Sequence, residues 1–205
     1  MGWHLWGAFV AACVVISMTP GPGAVISMSV GVQHGYLAAL RAIAGLQAAL
    51  LIQLAVVAAG LGAVLAASAT AFVVLKLAGA AYLVWLGIQK WRALPASPGT
   101  AALTVRPRNL FVSGLLVNLT NPKAIIFIAA LVPQFFRPDT SALLQFVIIG
   151  ATMIVVDVLV MSVYAVLASR FRPWLADPHA QRVQNRVVGS LFIGAGAALA
   201  TSSRT

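Results

Sequence analysis

The chain has no glutamate, three aspartates (Asp139, Asp157 and Asp177), one cysteine and three histidines in 205 residues. Each scarcity excludes something. A lone Cys13 rules out an internal disulfide and leaves no thiolate set for a metal. His4, His34 and His179 fall outside the apolar stretches and form no ligand cluster, so neither a metal nor another cofactor is expected. No apolar stretch holds a Ser/His pair, a histidine-rich set or two carboxylates, and one aspartate cannot serve as both acid and base, which argues against an enzyme. Charged residues make up 8% of the chain, against roughly 25% in soluble domains, whose surfaces must be solvated. A water-soluble globule is therefore excluded.

What fills the chain is apolar: 61% of residues are hydrophobic and the mean hydropathy is +1.00. Six stretches stand between charges and turn residues: Leu5 to Val32, Ala42 to Ala66, Ala71 to Gln89, Leu110 to Pro133, Ala142 to Ala168 and Val187 to Ala200. Most are near the ~20 residues a helix needs to cross the hydrocarbon. The expected fold is an all-α membrane protein using residues 1–205 as one transmembrane domain, with halves 1–92 and 109–205 joined by a cytoplasmic linker, 93–108, that carries Pro95, Pro98 and Gly99. The net charge of +10 lies in short connections between the stretches. There it suits anionic lipid headgroups, and nucleic acid is not an expected partner. Val10 to Cys13 loosely resembles a lipoprotein processing site. However, Met1 to Trp6 lacks the Lys or Arg that a cleavable signal needs, so a retained first segment is expected.

Basic residues are unevenly distributed. Arg41, Lys90, Arg92, Arg106, Arg108, Arg170, Arg172, Arg182 and Arg186 follow the first, third and fifth stretches, while only Arg137 and Arg204 fall on the other side. Nine against two places the first set on the cytoplasmic side and both termini outside. The halves also echo one another. Met18-Thr19-Pro20-Gly21-Pro22-Gly23-Ala24-Val25-Ile26 parallels Leu119-Thr120-Asn121-Pro122-Lys123-Ala124-Ile125-Ile126. Three spans per half is an odd number, so the second half is inverted. Six transmembrane helices as a 3+3 inverted repeat, with the first and fourth broken, form the sequence pattern of a secondary transporter with a midplane site.

Proline removes a backbone donor and clashes with the preceding turn, so Pro20, Gly21, Pro22 and Gly23 leave backbone groups without helical partners. Lipid cannot satisfy them, and such backbone survives at depth only inside protein or against a watery cavity. A half-helix starting near Gly23 aims amides and a positive dipole end at that cavity, which suits a carboxylate. Lys123 stands fourteen residues into the fourth stretch, and Asp157 is similarly central in the fifth. Charges at that depth cost at least about 2.5 kcal/mol each, so they face the interior and mark a pathway or pair. Two readings stand: Lys123 receives a substrate carboxylate while Asp157 takes a proton or the substrate amine, or the two pair permanently and hold two helices together. Thr19, Pro20, Gly21, Pro22, Gly23, Asn121, Pro122, Lys123 and Asp157 are thus the expected substrate path. Gln47, Gln53, Lys76 and Tyr164 are secondary lining candidates. Interhelical hydrogen bonding is the plainer role for the glutamines and the tyrosine, and snorkelling to the interface for Lys76. Gly60, Gly62, Gly79, Gly194 and Gly196 read as close helix contacts.

Several of these residues form a pattern that resembles the LysE/RhtB group of bacterial amino-acid exporters. It rests on Thr19 to Gly23, on Leu75-Lys76-Leu77-Ala78-Gly79-Ala80-Ala81-Tyr82-Leu83 followed by Leu86-Gly87, and on Gly114 to Asn118 leading into Asn121-Pro122-Lys123-Ala124. Pro133-Gln134-Phe135 and the Gly189 to Ala200 run extend it over essentially the whole chain. The resemblance implies a secondary-active, proton-driven exporter of amino acids or related metabolites in the bacterial cytoplasmic (inner) membrane, with a homodimer compatible with it. The second stretch has no acid and Asp157 is the only one in any span, which favours neutral amino acids. Export of another small solute or a metal ion is the alternative, and a membrane-embedded enzyme ranks below both.

Overall fold

The structure, a computed structural model, describes residues 3–67, 69–93, 109–135, 141–170 and 177–201. Every element among them is helical: α1 (Trp3–Met18), α2 (Pro22–His34), α3 (Tyr36–Ala67), α4 (Ala69–Arg92), α5 (Leu110–Leu119), α6 (Pro122–Leu131) with a 3-10 turn (Val132–Phe135), α7 (Ala142–Arg170) and α8 (Pro178–Thr201). The 93–108 connection lies, apart from Ala93, outside the described residues. Two elements run further than the apolar pattern indicates. α3 begins at Tyr36 and carries Arg41 within it, and α8 begins at Pro178, nine residues ahead of Val187. Hydropathy marks where a helix is apolar, whereas the helix itself continues until its backbone bonding is interrupted.

The expected breaks are present. Trp6–Met18 and Pro22–His34 meet at 59°, and Leu110–Leu119 and Pro122–Phe135 at 56°. Uninterrupted spans of sufficient length and hydropathy run through Tyr36–Gly60 and Leu143–Ala168, and each bent pair passes the same test when taken as one. α7 shows why lipid is the right solvent for this fold. Ile149, Met153, Met161 and Ala165 face inward, yet the outer face presents Leu143, Val147, Val155, Leu159 and Val163. A helix apolar all round needs an apolar surrounding on every side.

α2 packs on α3 and α7, α3 on α5, and α4 on α8. Glycine sets how closely these helices approach. A Cβ on Gly45 would overlap the Phe111 carbonyl, and one on Gly114 the Ala42 carbonyl, so the backbones of α3 and α5 touch. A Cβ on Gly31 would stand 2.6 Å from the Ala165 carbonyl, and Gly87, Gly189 and Gly196 make similar contacts between α4 and α8. Of the three expected glycines whose surroundings are described, Gly196 fills this role. Gly60 and Gly194 have open space where a Cβ would stand, because a glycine on a membrane helix packs closely only if its face meets a partner. The surroundings of Gly62 and Gly79 lie outside the description.

Two apolar clusters result. One gathers Phe9, Leu54, Leu131, Phe135 and Ile149, with the rings of Phe9 and Phe135 4.8 Å apart. The other gathers Ile26, Val30, Ile43, Leu110 and Ala165. The helix breaks and a layer of buried polar residues (Ser17, Thr19, Gln47, Asn118 and Asn121) lie between their members along the chain.

Candidate functional site

At the first break, α1 stops at Met18 and must place its last carbonyls elsewhere. Thr19 Oγ1 donates to the Val15 carbonyl at 2.9 Å. The Ile16 carbonyl accepts from the Thr19 amide at 3.2 Å and from Lys123 Nζ at 3.0 Å. Tyr164 donates its hydroxyl to the Met18 carbonyl at 2.6 Å, and Lys123 Nζ reaches the Thr19 carbonyl at 2.8 Å. Side chains from α6 and α7 thus close the end of α1. α2 then starts with Pro22 in its first turn and extended Gly21 as a cap that has no side chain to offer. Lys123 passes directly over Gly21, so a side chain here would press on the lysine. A Cβ would sit 3.2 Å from Nζ and 3.3 Å from Cε.

The second break follows the same plan with different chemistry. Thr120 Oγ1 donates back to the Leu116 carbonyl at 2.8 Å, one turn away as Thr19 does. The Asn118 carbonyl accepts from the Asn121 amide at 3.1 Å and from Gln53 Nε2 of α3 at 2.7 Å. Asn118 Nδ2 donates to the Leu46 carbonyl at 2.9 Å, and Asn121 Nδ2 to Asn118 Oδ1 at 3.2 Å. Asn121 Oδ1 caps α6 by accepting from the Lys123 amide at 3.1 Å. The contrast with Gly21 matters: the opening turn of α6 carries a side-chain cap and that of α2 does not.

Asp157 of α7 lies beside these breaks. Ser17 Oγ of α1 donates to its Oδ1 at 3.0 Å, and Gln47 Nε2 of α3 to its Oδ2 at 2.8 Å. Gln47 Oε1 is buried and has no hydrogen-bond partner. A cavity of about 60 Å³ opens here, walled by Ser17, Gly23, Asn118, Asn121, Lys123 and Asp157 with apolar sides from Cys13, Leu50, Phe127 and Met161. That is room for a few water molecules. It has a carboxylate, an ammonium and the uncapped first turn of α2 on its walls.

Of the expected path residues, Gly23, Asn121, Lys123 and Asp157 line this cavity. Thr19 and Gly21 shape the break behind it, and Pro20, Pro22 and Pro122 interrupt the helices without lining it. Lys123 takes the carbonyls of the first break as partners. Gln53 and Tyr164 make the interhelical bonds that suit their types, and Gln47 is bound to the site itself. The Lys76 side chain lies outside the described residues. Sequence reasoning missed Ser17 and Asn118. Each stands two residues before the threonine of its break, and that shared offset was the available signal. No group of His, Cys, Asp and Glu able to hold a metal occurs among the described residues.

Helices apolar on their outer faces, two of them broken around an internal charged cavity, define a membrane transporter. Residues 14–203 match the LysE type translocator family, and the chain belongs to it. It is 45% identical over 203 residues to the homoserine/homoserine lactone efflux protein of Salmonella typhimurium, covering 98% of each chain. It is 32% identical over 209 residues to the leucine efflux protein of Salmonella choleraesuis, covering 97% of this chain and 95% of that one. No solved structure matches.

Proposed function

We propose that this chain exports small neutral amino acids or their derivatives across the bacterial inner membrane, exchanging them for protons at the cavity beside Asp157. The observation that carries the reading is the meeting of Asp157, Lys123 and the uncapped α2 terminus around one cavity. Asp157 is the group that can alternate between cargo and proton: its oxygens take only neutral donors from Ser17 and Gln47. A proton and a substrate ammonium compete for such a carboxylate, and that competition couples the two movements.

The relatives narrow the substrate. Homoserine and its lactone share a primary amine, but the lactone has no free carboxylate, so a site serving both must hold the amine. The carbonyl end then faces the α2 opening turn, whose amides suit a carboxylate or an ester oxygen. Apolar walls and a single acid favour a neutral side chain.

The proposed architecture is one domain over residues 1–205, six spans in two inverted halves, 1–92 and 109–205, with both termini outside. It is supported by the matched bends of 59° and 56°, by the paired Thr19 and Thr120 back-bonds and by the basic residues gathered on one side. The path comprises Gly23, Asn121, Lys123 and Asp157 at the cavity, with Thr19 to Pro22 and Pro122 shaping it.

The test is counterflow in proteoliposomes with labelled L-homoserine, L-homoserine lactone and L-leucine. Accumulation of at least one, accelerated by a proton gradient opposed to its movement, is expected. If none of a wider amino-acid panel moves, the reading fails.

A further inference from the structure

We infer that the end of the helix pair where α4 closes and α8 begins is a binding site for the headgroup of an anionic phospholipid, with Arg186 as the phosphate ligand and Trp91 as its platform. The site is remote in sequence from the cavity residues, and it depends on the chain lying in a membrane, not on what the chain carries.

Trp91 is the next-to-last residue of α4, and α8 fixes its ring. The Cδ1 edge lies against Gly189, where a Cβ would come within 2.5 Å of it. Nε1 donates to Ser190 Oγ at 2.9 Å. One turn before Ser190, the guanidinium carbon of Arg186 stands 5.6 Å from the ring centroid, within the reach of a cation–π contact.

The depth of this cluster follows from the packing. α4 and α8 run antiparallel, since Gly87 meets Gly189 and Ile193 while Gly196 meets Ala80 and Val84. The third apolar stretch ends at Gln89 and the last begins at Val187. Trp91 and Arg186 therefore stand at one level, just outside the apolar part of each helix, where tryptophan sits among headgroups and basic side chains meet lipid phosphates. Arg182 is one turn further out on the same face of α8, about 6 Å along its axis, and Arg92 follows Trp91. All three arginines are exposed. On the hydrocarbon side, Ile88 and Val187 are exposed as well.

No acid of the two helices answers these charges. Neither α4 nor α8 contains Asp or Glu, and Asp177, just ahead of α8, accepts from the His179 amide at 3.0 Å. The Trp91 ring attracts the guanidinium through its π face and supplies no oxygen, so the N–H donors of Arg186 are left for an acceptor. A phosphodiester presents two oxygens on one anionic centre, which match that fork. Its acyl chains would then lie along Ile88 and Val187, a contact that free phosphate cannot make. Phosphatidylcholine carries the same phosphate but brings its own cation against Arg182 and Arg92.

The experiment is native mass spectrometry of the full chain in detergent, titrated with phosphatidylglycerol or phosphatidylcholine. Wild type is expected to hold phosphatidylglycerol about tenfold or more tighter than phosphatidylcholine. Arg186→Gln is expected to weaken phosphatidylglycerol about tenfold, the size of one hydrogen bond to a charged group. Trp91→Leu, which keeps an apolar side chain and removes the ring, should weaken it about threefold. Arg41→Gln makes the same charge change at an exposed position of α3 and should stay within about twofold of wild type. If Arg186→Gln does not yield folded protein, Arg186→Lys keeps the charge and loses the fork, and should still weaken binding. A wild type that holds the two lipids within about twofold of each other overturns the inference. So does an Arg41→Gln loss equal to that of the Arg186 variant, which would mark a diffuse charge effect. Displacement of the bound lipid by excess inorganic phosphate would also overturn it, by making the site one for a free anion.

Discussion

Lys123 Nζ lies 2.8 Å from the carbonyl of Thr19, a residue 104 positions earlier, and so closes the broken end of a helix to which it does not belong. Its second bond, to the Ile16 carbonyl at 3.0 Å, is on the same end. A cation at a helix C-terminus satisfies both the orphan carbonyls and the negative end of the helix dipole. Lys123→Met is expected to lower the thermal midpoint in detergent as well as transport, because it takes the ammonium donor from the Thr19 carbonyl at about 1 to 3 kcal/mol and leaves the Ile16 carbonyl with the Thr19 amide alone. Lys123→Arg is expected to recover part of the stability. A Lys123→Met protein with wild-type thermal stability and lost transport would instead assign the lysine to the substrate alone.

Asp157→Asn retains an acceptor for the Ser17 hydroxyl but loses the charge. Folded protein in normal yield is expected, with transport reduced by about a hundredfold or more, the scale of a lost ionic partner. What remains should no longer respond to a proton gradient. Gradient-stimulated export by this variant would remove Asp157 from the coupling step.

Where helices touch through glycine, added volume has nowhere to go. Gly114→Val would drive a side chain into the Ala42 carbonyl, and Gly45→Val into that of Phe111, whereas Gly60→Ala meets open space. Each of the first two is expected to cost about 1 to 3 kcal/mol or more, seen as loss of the monodisperse peak in size-exclusion chromatography. Gly60→Ala should elute as wild type does.

Cys13 is the chain's one thiol, and it lies on the cavity wall while only 2% exposed. A small membrane-impermeant thiol reagent should modify it only when the cavity opens to one face of oriented vesicles, at a rate that a transported amino acid changes. Equal rates with and without a saturating substrate would separate the cavity from the transport path.

The positions of the breaks were legible in the sequence because Pro20, Gly21, Pro22 and Asn121-Pro122 act locally: a proline interrupts a helix whatever surrounds it. Asp157 was legible as well, since burying a charge in lipid is costly enough to need a purpose. The partners were not. Nothing local in Lys123 says that its stem passes over Gly21 to the carbonyls of α1, and nothing in Gln47 says that its amide nitrogen turns towards Asp157. Such pairings depend on helix rotation about the long axis, which periodicity leaves open when every face is apolar. The same gap explains the glycines. Gly31, Gly45 and Gly114 are close contacts and Gly60 is not, a difference made entirely by which face meets a neighbour.

The closure of the first break by Lys123 and Tyr164 also sets an order for biogenesis. α1 leaves the ribosome long before either residue has been made, so the carbonyls of Met18 and Thr19 enter the membrane ahead of the donors that will serve them. In the nascent chain those groups must stay near water or the insertion machinery until the fourth and fifth hydrophobic segments arrive. A fragment ending at Arg92 is thus an unfinished object, and joint synthesis with the missing fragment should rescue it where later addition does not.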